Sequence, residues 1–485
     1  MLSPLDRLGA IEDLALGLRW DARELRHEVE RRAGALARLG VDRGAAVAIA
    51  HGGTAGFFAD LLATWRLGAT AACLDPALTG FERGVIFGFF KPAVILLDET
   101  PIETSGSIPQ IALARSAQPA DVVSGRPANP DDPALVLFTS GTTGAPKGVV
   151  LSYRALAARV ALNVAAVGEA KLARALVTLP THFGHGLIGN ALTPLFAGGD
   201  IVLPPRGLPL AQELARVIDA HRITFLSSVP ALWRLALKFG HPPSRGSLAR
   251  VHVGSAPLSS ALWTEIVQWS QAEVVNCYGM TETANWMAGA SSSDGIADGL
   301  VGAPWGGLAA VMDEAGVRRV SGEGEIAVQS PSLMSGYLAR PDLTAAVMHD
   351  GWFRTGDRGT IDGDGRIRLT GRIKDEINRA GLKVQPAELD VLLEGHPSVA
   401  EACAFAVSDP VSGETVGIAV RLNPGVADDA ESLRAWCRAR LRREAVPERW
   451  FIVEEIPRTM RGKVNRDAVR RRLIGDRAGD GVVDR

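Results

Sequence analysis

The chain has 485 residues, too many for one ordinary hydrophobic core, so two or more domains are expected. With 47% hydrophobic and 22% charged residues the composition is globular. A formal net charge of -2 and a pI near 6.5 exclude a generally basic surface. Neither nucleic acid nor a membrane surface is therefore an expected partner, and any positive charge that function needs must be local.

The opening MLSPLDRLGAIEDL brings Asp, Arg and Glu too early for a secretory signal. No run approaches the ~20 apolar residues of a bilayer span. Cys73, Cys277, Cys403 and Cys437 lie far apart with no CxxC pair, so neither a zinc site nor a disulfide framework is indicated. A soluble cytoplasmic protein is expected. Asp21 with Glu24 forms a capping box, and Leu25, Val29, Ala33, Leu36 and Leu39 follow at helical spacing until Gly40. A strand (47–50), a helix (54–67), a strand (69–74), a helix around Glu82 and a strand (93–97) continue the alternation. The series is β-α-β, hence an α/β fold with a parallel sheet flanked by helices. Residues 102–133, rich in Ser, Pro and Ala, read as a loose connection.

The stretch 135–153, LVLFTSGTTGAPKGVVLSY, reads as a strand, a loop and a helix start. Gly141, Gly144 and Gly148 let main-chain N–H groups approach a ligand closely. Thr139, Ser140, Thr142 and Thr143 add hydroxyls, and Lys147 adds a compact positive charge. Together these suit phosphate oxygens. The Walker loop is excluded, because Pro146 precedes Lys147 and Gly148 follows it.

From Thr139 to Gly148 the stretch resembles the phosphate-loop signature of the adenylate-forming superfamily, which includes acyl-CoA synthetases, adenylation domains of peptide synthetases and luciferases. The resemblance implies a large N-terminal AMP-binding domain (1–372) of parallel and mixed sheets, a hinge (373–376) and a small mobile α+β C-terminal domain (377–485). His182 and His185, three residues apart, raise a metal reading, but no Cys or acid stands at ligand spacing and pocket lining is the better one. The resemblance puts an aromatic near the reacting carboxyl, here His182 or Phe183, with spacing that favours Phe183. Domains that activate amino acids carry an Asp next, where this chain has Gly184. A buried ammonium without a carboxylate is costly, so an amino-acid substrate is disfavoured. Gly184 and Gly186 are also expected to leave room.

In VHVGSAPL (251–258), Gly254, Ser255, Ala256 and Pro257 offer a small-residue surface for adenine. In VVNCYGMTET (274–283) the resemblance implies that Tyr278 stacks on adenine, Thr281 touches the α-phosphate and Glu282 binds Mg²⁺, with Asn276 also nucleotide-binding and Thr283 in the acyl pocket. Mg²⁺ takes hard oxygens, usually one or two carboxylates plus phosphates. The family's acetate-type enzymes place a bulky aromatic where Gly279 stands, so a longer or wider acid is expected, although Trp286 could narrow the pocket from another side.

Asp357 is expected to take the ribose diol, with Arg372 beside it. Asp362-Gly-Asp-Gly lacks the remaining ligands of a calcium loop and reads as a hairpin turn. Lys374 falls at the hinge, Gly381, Leu382 and Lys383 on the loop that serves the thioester step, and Lys463 on the family's catalytic lysine. The extra segment that marks fatty acyl-AMP ligases does not occur between Asp357 and Arg372. The expected reaction uses ATP and Mg²⁺ to turn a small carboxylic acid, a medium-chain fatty or aromatic one favoured, into acyl-AMP and then a thioester of coenzyme A. Phosphopantetheine on an acyl carrier protein, or an amine, could replace coenzyme A as acceptor. Luciferase-like oxygenation and a non-catalytic nucleotide-binding scaffold are two rival readings, and a homodimer is left open.

Overall fold

The computed structural model describes residues 7–98, 102, 108–113, 128–139, 147–205, 207–313, 316–379, 382–409, 413–426, 428–441, 443–459 and 464–475. Two largely parallel sheets form the core of the large N-terminal domain. One has eight strands in the order Asn285–Ser291, Glu273–Met280, Arg250–Gly254, Phe225–Ser228, Arg174–Val177, Asp200–Leu203, Ile11–Asp13 and Leu18–Trp20, with antiparallel pairs only at its two ends. The other has seven, from Gly336–Tyr337 through Lys147–Ser152, Pro133–Thr139, Thr70–Cys73, Ala46–Ile49 and Val94–Leu96 to Gln110–Ile111. Val47, Ile49, Leu135, Leu137, Phe225 and Val275 belong to one apolar core that runs between them. A seven-stranded antiparallel sheet spans 300–372, and a five-stranded sheet spans 377–452 in the smaller C-terminal domain, which has apolar cores of its own.

The expected start is present. Ala22–Arg38 is a helix whose Asp21 accepts from Glu24 N–H while Glu24 accepts from Asp21 N–H, both at 2.8 Å. Leu25, Val29, Ala33 and Leu36 are buried as their spacing requires, whereas Leu39 is the C-terminal cap and exposed. Thr54 and Thr79 cap the next two helices, Ala55–Arg66 and Gly80–Phe90.

The helix start expected at the end of the 135–153 stretch is present: Tyr153–Val167 is a helix whose first turn is capped by Ser152. Between the loop and that helix the structure adds a strand, Lys147–Ser152, which pairs antiparallel with Pro133–Thr139 and brings Thr139 opposite Lys147. Polar Lys147 and Ser152 at the ends of an apolar run of three concealed the strand.

The small domain meets the large one through the ends of a helix. Arg234, on the helix Pro230–Phe239, pairs with Glu394 at the end of Pro386–Glu394 at 2.6 Å. At the other end Gln385 donates to Glu376 at 2.7 Å, beside Gly371. No helix among the described residues is long and apolar enough to cross a membrane.

Candidate active site

The strand Glu273–Met280 delivers two groups of side chains at its C-terminal end, where parallel α/β sheets hold their ligands. The first group begins at Tyr278, whose hydroxyl donates to Asp357 at 2.6 Å, while Arg372 Nε donates to the other oxygen of Asp357 at 2.8 Å. Asp357 and Arg372 face each other across an antiparallel pair of strands, and Thr355 Oγ1 accepts from the Asp357 amide. Burial pushes the Tyr278 phenol well up, and the adjacent Asp357 carboxylate pushes it further. Burial is the largest single influence on Arg372 and works against its charge, yet Asp357, Tyr278, Asp375 and Glu282 together outweigh it and raise that group. Tyr278 is 7% exposed and its hydroxyl is committed. What it displays is a brace on Asp357, which the expected adenine stacking did not include.

The second group follows directly. Thr281–Thr283 is a single 3-10 turn, after which Ala284 and Asn285 take φ of +56° and +110°. Both are strained values for residues with a side chain, of the kind that persists where surrounding contacts enforce it. Those contacts are explicit. Thr283 Oγ1 donates to the backbone of Met280 or Asn285 and accepts from Met280 N–H. Ser332 Oγ donates to the Thr283 carbonyl, and the fully buried Arg159 donates to Ser332 and Ser330. Burial lowers the Arg159 guanidinium to about 10. The Met334 amide donates to the Glu282 carbonyl at 2.8 Å. Thr283 therefore fastens the turn through its hydroxyl.

Glu282 is joined to the phosphate-type loop through a residue that carries no motif of its own. The Tyr337 hydroxyl donates to Glu282 Oε1 at 2.9 Å, and Lys147 Nζ lies 5.4 Å from the centre of the Tyr337 ring. Burial and the Glu282 carboxylate both push the Tyr337 phenol up, so it stays a donor. Tyr337 sits on a two-residue strand beside Val149, too short to leave any periodic signal.

Elsewhere the expected residues are partly assembled. Gly254 ends its strand, Ser255 follows at φ +66°, and Ala256 and Pro257 lead to the surface. Asn276 is buried with its amide donated to Leu300 O at 2.8 Å, a structural use. His182 faces Asp75 at 3.3 Å and Phe183 at a 4.1 Å ring separation, whereas His185 lies between Ser255 and Ser227 at 2.7 and 2.6 Å. The two histidines thus turn to different partners. Lys374 is half exposed in a short turn and Leu382 is exposed on a hairpin. Ser140, Gly141, Thr142, Thr143, Gly144, Gly381 and Lys463 lie outside the described residues.

Two of the three glycines expected to open the acid pocket are glycine for another reason. A Cβ on Gly186 would meet the Pro180 carbonyl at 2.2 Å, and one on Gly279 would meet the Asn285 carbonyl at 2.0 Å. Backbone approach, at a β-bulge in the case of Gly279, forbids any side chain there. Only Gly184, with its nearest neighbour at 3.5 Å, keeps the reading of spare room.

One strand end thus brings together a carboxylate held by a tyrosine that Lys147 overlies, and an aspartate held between a phenol and a guanidinium. Comparison with known proteins gives the class, that of the AMP-binding, adenylate-forming enzymes. The AMP-binding enzyme family matches residues 10–338, and the AMP-binding enzyme C-terminal domain matches residues 388–463. Oxalate–CoA ligase of Arabidopsis thaliana is 31% identical over 477 residues, 92% of each chain. The fatty acid–[acyl-carrier-protein] ligase ScoC of Streptomyces coeruleorubidus is 32% identical, covering 85% of this chain and 82% of its own. ATP-bound MatB of Rhodopseudomonas palustris superposes with a TM-score of 0.87 at 27% identity, over 97% of this chain and 96% of that one. The chain belongs to the AMP-binding enzyme family and is an acid–thiol ligase of the AMP-forming acyl-CoA synthetase type.

Proposed function

We propose that the chain condenses a small carboxylic acid with ATP to acyl-AMP and then passes the acyl group to coenzyme A. The observation that carries this reading is the joining of Lys147, Tyr337 and Glu282 four residues from the Tyr278–Asp357–Arg372 group, at one strand end.

In the first step a substrate carboxylate oxygen bonds to the α-phosphorus of ATP and the bond to pyrophosphate breaks. Such an attack between anions needs charge neutralisation more than proton transfer. Lys147 and the amides and hydroxyls of Thr139, Ser140, Gly141, Thr142, Thr143 and Gly144 hold the phosphates. Thr281 meets the α-phosphate, and Lys463 bridges it to the carboxylate. Asp357 takes the ribose diol, oriented by Tyr278 and Arg372, while Gly254, Ser255, Ala256 and Pro257 flank the base. Glu282 supplies hard oxygen of the kind magnesium binds, and the metal when present offsets phosphate charge. In the second step the thiol sulfur bonds to the acyl carbon and AMP leaves. The small domain turns about residues 373–376, with Lys374 in the hinge, withdrawing Lys463 and presenting Gly381 and Leu382. A carrier-protein phosphopantetheine is the second candidate acceptor, supported by the relative that loads one.

Acid-dependent ATP–pyrophosphate exchange, followed by thioester formation on adding coenzyme A, tests the proposal. Failure to exchange with any acid contradicts it; exchange without turnover on coenzyme A moves the acceptor to a carrier protein or an amine.

A further inference from the structure

Arg159 carries a buried charge that the proposed reaction does not use. It sits on the helix Tyr153–Val167 with no surface exposed, and among the described residues no carboxylate pairs with it. At a pKa lowered by burial to about 10 the guanidinium still stays protonated near neutrality. A buried cation without an anion is strongly unfavourable, and an apolar side chain of similar volume would avoid the cost. What the charge does must therefore be sought in its hydrogen bonds.

Arg159 Nε donates to Ser332 Oγ at 3.1 Å and Nη2 donates to the same oxygen, so both lone pairs of that hydroxyl are taken. Ser330 Oγ, 2.9 Å from it, already accepts from Arg159 Nη2 and from the Ser332 amide. The one hydrogen of the Ser332 hydroxyl is thereby aimed at the Thr283 carbonyl, 3.1 Å away. On its other side Arg159 Nη1 reaches the Trp305 carbonyl at 3.5 Å, and the Trp305 amide donates to Met287 O at 2.7 Å. One planar group thus holds the chain on either side of Ala284 and Asn285, the two residues with positive φ. The segment carrying the two serines then runs on to Glu282 itself. The Met334 amide and the Tyr337 hydroxyl both donate to Glu282, while the Ser335 and Leu338 amides donate to Val150 O at 2.8 Å and Gly148 O at 2.7 Å, on the strand that begins at Lys147.

We propose that Arg159 is a positioning residue for the adenylation step: through Ser332 it holds the Thr281–Thr283 turn in the form that presents Thr281 and Glu282, without itself touching ATP or the acid. The inference rests on the ligase reading above. A hydrogen bond fed by a cation is stronger than one between neutral groups. Strained backbone persists only while its surroundings over-determine it, so loss of the cation lets Ala284 and Asn285 relax and Glu282 drift.

Amide hydrogen exchange of the full chain, without nucleotide or metal, reads the positioning directly. In Arg159→Met, peptides covering 281–285 and 330–335 are expected to exchange roughly tenfold faster, with those of Phe225–Ser228 unchanged. Equal acceleration everywhere, or none at the turn, overturns the role. Ser332→Ala leaves Arg159 its bonds to Ser330 and Trp305 and cuts the link to Thr283. It is expected to loosen 281–285 as well, and it decides the matter if Arg159→Met does not fold. ATP–pyrophosphate exchange with Mg²⁺ supplies the second readout, across oxalate, sulfoacetate, octanoate and ferulate. In both variants kcat is expected to fall roughly tenfold, the scale for an outer partner of a metal-binding carboxylate, with the KM for the acid unchanged. The double variant is expected to be no slower than Arg159→Met, because both changes act through one contact. Additive losses, or a raised KM with kcat intact, contradict the proposal. No exchange by the wild type with any of the four acids overturns the ligase reading and this inference with it. Exchange at one rate in the wild type and both variants overturns the inference alone.

Discussion

The two ends of the proposed site are held in different ways. At the end proposed for the nucleoside Asp357 already holds a phenol and a guanidinium, and Thr355 caps its amide, before any ligand is considered. Toward the end proposed for the acid, behind His185, the rings of Trp286 and His252 and the amide of Asn285 are packed together, with buried donors that have no partners among the described residues. The difference teaches that one end is positioned by hydrogen bonds and an ion pair and the other by packing at the expense of polar satisfaction.

The largest expected effect bears on the reaction both ends share. Lys463→Ala should lower acyl-AMP formation by ~100-fold or more, the scale for removing one transition-state donor. Thioester formation from supplied acyl-AMP should fall far less, and single-turnover assays of the two steps check it. Equal losses would remove the role given to Lys463. Next, Asp357→Asn should raise the KM for ATP roughly tenfold to a hundredfold, because it takes the charge from a buried partner of Arg372. The KM for the acid should stay where it is. If both shift together, the ends are not separable and the comparison fails.

Much of this was legible in the sequence, for identifiable reasons. The Asp21–Glu24 box and the apolar spacing behind it are local signals, and the structure carries them as read. The turn at Asp362 is equally local: its side chain accepts from Asp364 and Arg366 amides. Asp357 and Arg372 were expected side by side and are. What the sequence did not disclose depends on contacts between distant segments. Gly186 and Gly279 carry no mark in the sequence to say whether a glycine makes room for a ligand or for a carbonyl, and here the carbonyls of Pro180 and Asn285 decide. Nothing in the sequence marks that the Thr283 hydroxyl is bonded to the backbone of Met280 and Asn285. Tyr337 and Arg159 act across 55 and 173 residues, on Glu282 and Ser332 respectively, and no periodicity reports such a link.

Two smaller effects sharpen the picture. Tyr337→Phe removes the hydrogen bond to Glu282 and should reduce kcat about fivefold. It should also raise the Mg²⁺ concentration needed for half-maximal rate, a shift that a merely structural role would not produce. The smallest concerns the contact between the domains. Burial pushes the Glu394 carboxyl up to about 7 against the pull of Arg234. A carboxyl raised above its ordinary value contributes stability that is full below that value and lost as pH rises through about 7. The melting temperature of the wild type should therefore fall between pH 5 and 8 by roughly 2 °C more than that of Glu394→Gln. Parallel curves would place Glu394 in a wetter setting than its burial indicates.

The central claim is that a carboxylate oxygen of the acid attacks the α-phosphorus of ATP. It is tested most directly by supplying the preferred acid with ¹⁸O in the reacting carboxylate, together with ATP, Mg²⁺ and coenzyme A, and weighing the nucleotide product. The account predicts AMP carrying one labelled oxygen beside an acyl thioester. Unlabelled AMP, or ADP in its place, would contradict it.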